Sequence, residues 1–211
     1  MLTIVTPAAD RHLLSVYEMR SAAGLDPGDS SRDADLWIIA KGIFDRIAAE
    51  CSVVGDGIRA PTLKRETVSE TIRLRCSTST LLLSRRFVGT ISVFTFDGSA
   101  MDPADYEVEA GAGVIYRLCD GRPSTWAPGN VAITYQAGFV EIPADLALAA
   151  RTALREAWSG GERDPLMKRD KVDGVGEQEF WVGGLGSAST GSAFSATVRA
   201  MLDPYRSTVV P

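Results

Sequence analysis

Paired carboxylates are the residues of this chain whose type and spacing could support acid–base chemistry. Asp102 and Asp105 lie three positions apart, and Glu107 and Glu109 lie two apart on one face of a predicted strand. Catalysis by such a pair needs a cleft and a carboxyl group with a raised pKa. Because solvated sheet faces also carry pairs of acids routinely, the spacing alone does not predict an active site.

The histidine and cysteine content gives equally little support to nucleophilic or metal chemistry. A Cys–His or Ser–His pair would have to use the only histidine, His12, which precedes a predicted helix start and is more typical of a surface contact. Cys51, Cys76 and Cys119 are widely spaced and form neither a disulfide framework nor a paired CxxC ligand set. We therefore predict no catalytic residue, no metal and no cofactor.

Two glycine-rich stretches also fail to match known phosphate-binding motifs. Residues 174–179 lack the third glycine of the GxGxxG fingerprint and do not stand between a strand and a helix. Residues 183–187 have no lysine after their glycines, so they do not form a P-loop. The second stretch is typical of a linker.

The composition is that of an ordinary globular protein with an acidic balance. Of 211 residues, 45% are hydrophobic and 23% are charged, and the formal net charge is −5. That charge argues against tightly held nucleic acid, because duplex affinity depends on basic side chains that neutralise phosphates. No apolar run approaches the roughly 20 residues of a membrane span, and the start lacks a basic n-region. We expect a protein without a membrane partner.

Local signals define two helices near the start of the chain. Ser15 and Glu18 have the spacing of a capping box, and Gly24 supplies a C-terminal stop. A second helix is predicted over residues 35–51, where apolar residues recur at helical spacing.

After the second predicted helix, the residue pattern changes to the alternation that is typical of strands. Residues 62–75 alternate between β-branched and charged residues, as a half-exposed strand does. Asp97-Gly98 is a hairpin signal. Five further short runs between turn clusters predict a small antiparallel sheet or sandwich, namely residues 81–83, 91–96, 106–109, 113–118 and 131–136.

Helical patterning returns at Pro143, which suits a first helical position, and continues to Gly160. A last short helix is predicted over residues 194–202, before Pro204. The sequence therefore predicts an α+β fold, in which a helical core receives an inserted small antiparallel β domain. The predicted divisions are an N-terminal helical part (1–57), a β-rich insertion (58–140), a long core helix (141–160), a flexible charged and Gly/Ser-rich linker (161–193), and a C-terminal helix and tail (194–211).

The tryptophans differ in what they predict. Trp158 is most simply explained by helix packing, whereas Trp126 in a proline-bounded loop and Trp181 in a segment with few apolar residues could each anchor an interface.

The order of these elements resembles one family. A strand over residues 131–138 runs through Ile142-Pro143-Ala144-Asp145-Leu146 into the long helix, and the chain closes with Leu202-Asp203-Pro204-Tyr205-Arg206. In this it resembles the head–tail connector, or adaptor, proteins of tailed bacteriophages and of phage-derived gene transfer agents. The likeness covers nearly the whole chain, and it departs from the family in the Gly/Ser-rich segment from Gly183.

The resemblance implies a structural protein and not an enzyme. Such a protein would form a twelve-subunit ring beneath the portal protein at the head–tail junction of a phage-like particle, assembled in the bacterial cytoplasm, with a stopper or tail-completion protein below. DNA would pass through the lumen without sequence readout. The residues expected to contact partners are in or near the last helix and tail, together with one upstream tryptophan: Phe194, Val198, Leu202, Pro204, Tyr205, Arg206 and Trp181.

Three other functions remain open at this stage. A stopper or head-completion protein of the same assembly is the nearest, although small β-barrels are more typical of that class. A carboxylate-using hydrolase would require a deep pocket with two facing acids. A ligand-binding β module would require exposed aromatic residues aligned on one sheet face, and the sequence has no such stripe.

Overall fold

The computed structural model describes residues 1–161, 169–172, 176–179 and 194–207, and it confirms the predicted α+β class. The described residues form two compact units, and each unit is discontinuous in sequence. A β-rich unit contains residues 1–11, residues 51–142, Arg206 and Ser207. A helical unit contains residues 12–50 and the described residues between Pro143 and Tyr205.

Among its described residues, the helical unit has four α-helices: α1 (Val16–Ala23), α2 (Asp33–Glu50), α3 (Ala144–Gly161) and α4 (Ala196–Leu202). The capping box at the start of α1 forms as predicted, because the Ser15 hydroxyl accepts from the Glu18 amide while the Glu18 carboxylate accepts from the Ser15 amide. Gly24 ends α1 with a φ of +73°, a conformation that costs glycine little.

Helix α3 lies at the centre of this unit and packs against α1, α2 and α4. Its alanines bring the neighbouring backbones close, and its larger apolar side chains fill the space between them. The buried face of α3 consists of Leu146, Ala149, Ala150, Ala153, Leu154 and Trp158. The apolar face that the sequence predicts for this helix is therefore the buried one.

An ion pair joins the first two helices. The Arg20 guanidinium donates to both carboxylate oxygens of Asp33, from Nε at 2.8 Å and from Nη2 at 2.6 Å. This bidentate geometry is the strong form of the arginine–carboxylate interaction. The side-chain hydrogen bond to Arg20 lowers the pKa of Asp33, and Asp33 is also the first residue of α2.

The β-rich unit contains nine short strands. They are β1 (Leu2–Thr6), β2 (Glu66–Leu74), β3 (Thr80–Leu82), β4 (Val88–Phe96), β5 (Ser99–Ala100), β6 (Tyr106–Glu109), β7 (Val114–Cys119), β8 (Arg122–Ser124) and β9 (Gly129–Ala137). One antiparallel sheet has the order β1-β2-β9-β4-β5, and a second has the order β3-β7-β6 with β8 paired to β7. The helical unit's described chain adds a hairpin of β10 (Arg169–Val172) and β11 (Gly176–Glu179).

Alternate residues of both sheets point into one hydrophobic core. In the larger sheet, Val68 of β2 lies opposite Tyr135 of β9, and both are fully buried. From the smaller sheet, Leu81 and Ile115 contribute to the same core. The two sheets thus enclose a common interior, and their other faces turn away from it.

The end of β9 requires a glycine. Gly138 has a φ of +93°, and a Cβ atom built there would lie 2.6 Å from the Lys64 carbonyl oxygen. Phe139, the next residue, donates its amide to the Leu63 carbonyl at 2.8 Å, so the two chain segments run in contact at this point. Only a residue without a side chain fits this close backbone approach.

The structure differs from the sequence-based divisions at several places. The start of the chain forms β1, which pairs with β2, so residues 1–11 belong to the β-rich unit and not to the helical part predicted over 1–57. Five residues are too few to show a clear period, which is why the strand was not predicted. The predicted linker, 161–193, lies largely outside the described residues, but the hairpin of β10 and β11 falls within it.

Within the part of the chain that the structure describes, no helix has both the length and the hydropathy required to cross a bilayer.

Candidate functional site

The C-terminal segment, predicted to be a partner interface, is largely occupied by contacts within the chain. Val198 and Leu202 on α4 are completely buried, and Tyr205 is nearly so. Helix α4 packs on α3, so it belongs to the helical unit and is not a detachable arm. This packing was not predicted, because the sequence does not reveal which surface a short helix covers.

Tyr205 fixes the end of this segment to the start of α3. Its hydroxyl donates to Oδ1 of Asp145, and the Leu146 amide donates to the same carboxylate oxygen at 3.0 Å. The hydrogen bond from Tyr205 lowers the pKa of Asp145, because hydrogen bonding to the charged form favours it. The Pro-Tyr-Arg motif is therefore explained, at least for its tyrosine, by a contact within the fold.

The next residues continue into the β-rich unit. The Arg86 guanidinium donates to the carbonyl oxygens of Arg206 and of Gly111, the latter at 2.9 Å. The Ser207 amide donates to the Cys51 carbonyl at 3.1 Å. Side-chain exposure in the predicted interface is therefore concentrated at Pro204 and Arg206.

The remaining predicted interface residues divide into two groups. Phe194 is half-buried just before α4, whereas Trp181 lies outside the described residues. Trp126, also considered as an anchor, is completely buried in the β-rich unit, where its Nε1 donates to the Ile115 carbonyl at 3.3 Å. The proline-bounded loop around Trp126 folds inward, so this side chain cannot anchor a partner.

The structure brings together a buried polar cluster that the sequence did not reveal. Glu66 and Glu70 lie on the core-facing side of β2 and are 4% and 3% exposed. Arg85, which is 5% exposed, forms an ion pair with Glu66 through Nη2 and donates from Nη1 to the Thr62 carbonyl at 3.0 Å. Buried charges of this kind are tolerated only when they are paired and hydrogen-bonded.

Tyr135 and Ser84 complete the cluster. Both carboxylate oxygens of Glu70 accept from the Ser84 amide, each at 3.2 Å. The Arg85 amide donates to the Tyr135 hydroxyl at 3.3 Å, and that hydroxyl also interacts with Glu70. The arginine side chain, the tyrosine and the two carboxylates thus form one hydrogen-bonded group beside the hydrophobic core.

Burial dominates the electrostatics of this cluster. Desolvation raises the pKa of Glu70, and hydrogen bonds from Ser84 and Tyr135 oppose that rise. Desolvation also raises the pKa of Tyr135, and the nearby Glu70 charge adds to the effect. For Arg85, burial lowers the pKa while the Glu66 carboxylate raises it. The arginine pKa starts so high that Arg85 remains charged at any pH at which the protein is handled.

The geometry of the cluster fits a structural role better than a catalytic role. Glu66 and Glu70 lie on the same side of one strand, four residues apart, and each is nearly inaccessible and already hydrogen-bonded to protein groups. The acid pairs noted in the sequence have local roles, since Asp102 accepts from the Ala104 amide at 2.9 Å and Glu109 accepts from the Tyr116 hydroxyl at 3.0 Å.

Metal ligands are likewise not assembled. In the described ranges, no group of three histidine, cysteine or acidic side chains lies close enough to hold an ion. The His12 ring packs on Trp37, with ring centroids 4.2 Å apart, and Cys51 is buried while Cys76 and Cys119 are exposed thiols. These residues offer no ligand set for a metal or cofactor.

Comparison with known proteins supplies the decisive observation. A chain in the neck of an empty gene transfer agent (GTA) particle, computed with C6 symmetry, aligns with 100% of this chain and 97% of its own length, with a TM-score of 0.57 and 18% identity. This chain has a GTA neck-protein fold. The resemblance to GTA connectors predicted from the sequence is thereby confirmed at the level of the fold.

Chains of two further structures share this fold, with the same coverage of both chains. One is in the virion of a native GTA particle, at a TM-score of 0.57 and 16% identity. The other is in the neck of a native GTA particle computed with C12 symmetry, at a TM-score of 0.56 and 18% identity. No protein-family profile and no curated protein matches the sequence. The likeness is therefore visible in the fold and not in sequence similarity.

Sequence reasoning missed the buried cluster because its members look solvated. Glu66, Glu70 and Arg85 belong to segments rich in charged residues, and such segments normally lie on the surface. One signal was available, since the alternation along β2 places both glutamates on the same side as Val68. A strand with its apolar residue and its acids on one face indicates that buried partners must satisfy those carboxyl groups.

Proposed function

We propose that this chain is a structural head–tail connector of the adaptor type in a phage-like particle of the gene transfer agent class. The observation that carries the proposal is the match of the whole chain, in both its helical and β-rich parts, to chains of GTA neck structures. Because the alignment covers 97% of those chains, the shared fold extends to the full structural protein and not to one borrowed domain.

A non-catalytic role agrees with the chemistry of the described residues. The two acids that could act as a catalytic pair are sealed inside the β-rich unit and are neutralised in part by Arg85. Catalysis requires groups that can touch a substrate, within hydrogen-bond reach of its reacting atoms. The function of such a protein then depends on the chemistry of its surfaces.

The proposed assembly is a ring of about twelve copies beneath the portal, with a stopper or tail-completion protein below it. The matched neck structures were computed with C6 and C12 symmetry, which is a property of those particles and supports a cyclic arrangement here. Twelve copies at −5 each carry a formal charge of −60, which discourages DNA from adhering while it passes.

For the portal contact, we propose the exposed part of the C-terminal segment. Pro204 and Arg206 are exposed and Phe194 is half-buried, so these residues can contribute contacts without disrupting the fold. Trp181 completes the proposed set, while Val198, Leu202 and Tyr205 act by holding the segment in place.

The proposal is tested in the bacterium that produces the particles. Deletion of the gene should yield filled or empty heads without tails, and a tagged copy should restore tails and be found at the head–tail junction by electron microscopy. If the tagged protein is absent from purified particles, or if tails still join heads in the deletion strain, the connector role is wrong. A location below the ring would instead identify a stopper.

A further inference from the structure

Unlike most sheet surfaces of an acidic protein, the outer face of the larger sheet carries arginine and hydroxyl groups and no acid. On β2, Val68 and Glu70 point inward, so the alternate residues point outward. We name the resulting surface the arginine–hydroxyl face: Thr67, Ser69, Thr71 and Arg73 on β2, Arg65 just before that strand, and Thr134 on β9.

Several contacts define this face. The Thr134 hydroxyl donates to the Ser69 hydroxyl oxygen at 3.1 Å, across the two central strands. The Arg65 Nε donates to the Gly138 carbonyl oxygen at 3.4 Å, and Arg73 is exposed near the other end of β2. The outward residues of β2, β9 and β4 include no carboxylate, although Asp97 borders the face in the β4–β5 turn, where it accepts from the Asn130 amide at 2.8 Å.

The outer face of the smaller sheet has the opposite character. Leu81 and Ile115 point into the core, so their neighbours along the strands point outward. We name this surface the acid–apolar face: Leu82 on β3, Glu107 and Glu109 on β6, and Val114, Tyr116 and Leu118 on β7. Leu82 is 45% exposed, both glutamates are exposed, and no lysine or arginine stands at an outward position of these three strands.

The two faces turn away from one common core, and their charges are complementary. If two copies met through the same face, arginines would lie opposite arginines or glutamates opposite glutamates. Such like-charge contacts disfavour association. A contact between unlike faces pairs arginine with glutamate and covers the exposed Leu82. Such a contact is heterologous, because each copy uses a different patch on each side. Repeated heterologous contacts form a ring when the rotation from copy to copy closes.

We propose that the arginine–hydroxyl face of one copy docks on the acid–apolar face of the next copy, which makes this pair of faces the subunit interface of the ring. The inference rests on the proposed connector function and adds to it the identity of the two surfaces and of their occupant, a second copy of this chain. Arg65 and Arg73 are the donors, and Glu107 and Glu109 are the acceptors.

Charge reversal on each face provides the test, with the full chain studied by sedimentation velocity at low salt. Arg65→Glu/Arg73→Glu makes both faces acidic, and Glu107→Arg/Glu109→Arg makes both faces basic. Each variant alone is expected to raise the dissociation constant for self-association by at least about tenfold. An equimolar mixture of the two is expected to associate again, because each reversed face then meets an opposite charge on the other variant.

Controls separate a docking effect from a general effect of charge or folding. Lys41→Glu/Arg46→Glu changes two exposed cations of α2 by the same amount and should leave self-association unchanged. Circular dichroism checks the fold, and the single variants Arg73→Glu and Glu107→Arg are used if a double variant does not fold. A reducing agent is present throughout, because Cys76 and Cys119 are exposed thiols that could cross-link copies.

Three results would overturn the proposal. One is a wild-type chain that stays monomeric at every concentration, the second is unchanged association of the reversed variants, and the third is a mixture that fails to associate. Loss of binding to duplex DNA in the arginine variant with unchanged association would assign that face to nucleic acid instead. None of these results bears on particle location, so the connector function stands or falls separately by the deletion experiment.

Discussion

At the scale of single residues, the pair of Arg85 and Glu66 is the most exacting feature of the β-rich unit. A buried ion pair contributes little net stability compared with apolar side chains, but the loss of one partner leaves an uncompensated charge. Arg85 also has an Nε without a hydrogen-bond partner among the described residues, so the site tolerates one unmet donor to keep the pair. Substitution of one partner alone should therefore destabilise the chain more than substitution of both, an asymmetry between single and double variants.

The first prediction tests that asymmetry. Arg85→Met should destabilise the chain by about 3–5 kcal/mol, because Glu66 would remain buried without a cation. Glu66→Gln/Arg85→Met should recover part of the loss, since it removes the stranded charge. Urea unfolding measures the stability of both variants. The control is Arg73→Met, at an exposed arginine, which should change the free energy of unfolding by no more than about 0.5 kcal/mol. Equal effects of Arg85→Met and Arg73→Met would refute the interpretation.

Glu70 leads to a prediction about pH. Folding raises its pKa above the ordinary value of 4.5, so the folded chain holds a proton that the unfolded chain has released. This contribution to stability is complete below the ordinary glutamate pKa and is lost as pH rises through the raised pKa. Glu70→Gln cannot lose that proton, so the stability of the variant relative to wild type should increase with pH above 4.5.

Chemical denaturation between pH 4 and pH 9 measures the difference, with a slope of at most about 1.4 kcal/mol per pH unit. Glu107→Gln, on the exposed side of β6, is the matched control for removal of one glutamate. Parallel curves for wild type and Glu70→Gln would show that burial of this carboxyl has no energetic consequence.

At the scale of elements, α3 organises the helical unit through one face. Leu146 is completely buried, whereas Leu148, two positions on, is 50% exposed. Leu146→Asp should therefore unfold the helical unit or lower the free energy of unfolding by several kcal/mol, because it buries an unpaired charge. Leu148→Asp should change it by no more than about 0.5 kcal/mol. Thermal melts followed by circular dichroism compare the two, and similar melting temperatures would mean that the buried face is assigned wrongly.

Helix α4 (Ala196–Leu202) falls within the predicted range of 194–202, but its packing on α3 was not predicted. Because Leu202 is completely buried, Leu202→Ala should cost about 2–5 kcal/mol of stability. Thr197→Ala, at an exposed position of the same helix, is the control and should be nearly neutral. If α4 were instead a detachable arm that only binds a partner, both substitutions would leave unfolding of the isolated chain unchanged.

The sequence predicts elements well where the signal is local. Ser15, Glu18 and Gly24 define α1 because a cap depends on residues a few positions apart. It predicts poorly where burial depends on distant partners. Glu70 is sealed by Ser84, and Trp126 is enclosed by strands from both sheets, so neither could be assigned from its neighbours in sequence.

At the scale of the whole molecule, net charge makes a prediction about DNA. With a formal charge of −5, the isolated chain should not be retained on duplex DNA at about 0.15 M salt, since even cationic non-specific binders have Kd values of roughly 10⁻⁴–10⁻⁶ M there. Filter retention or fluorescence anisotropy with a labelled duplex tests this. Binding that weakens steeply with salt would contradict it and would indicate a concentrated basic surface.

The discontinuity of the two units has a consequence for how the protein is made. Helices α1 and α2 end at Glu50, but α3, which they pack against, begins only at Ala144. At synthesis rates of 5–20 residues per second, a ribosome needs roughly 5–20 s to make the intervening β-rich segment. During that interval the apolar sides of α1 and α2 emerge without their partner, while the sheets that follow can already pair. We expect the β-rich unit to form first on the ribosome and the helical unit to close last, as a late step in biogenesis at which chaperones would act.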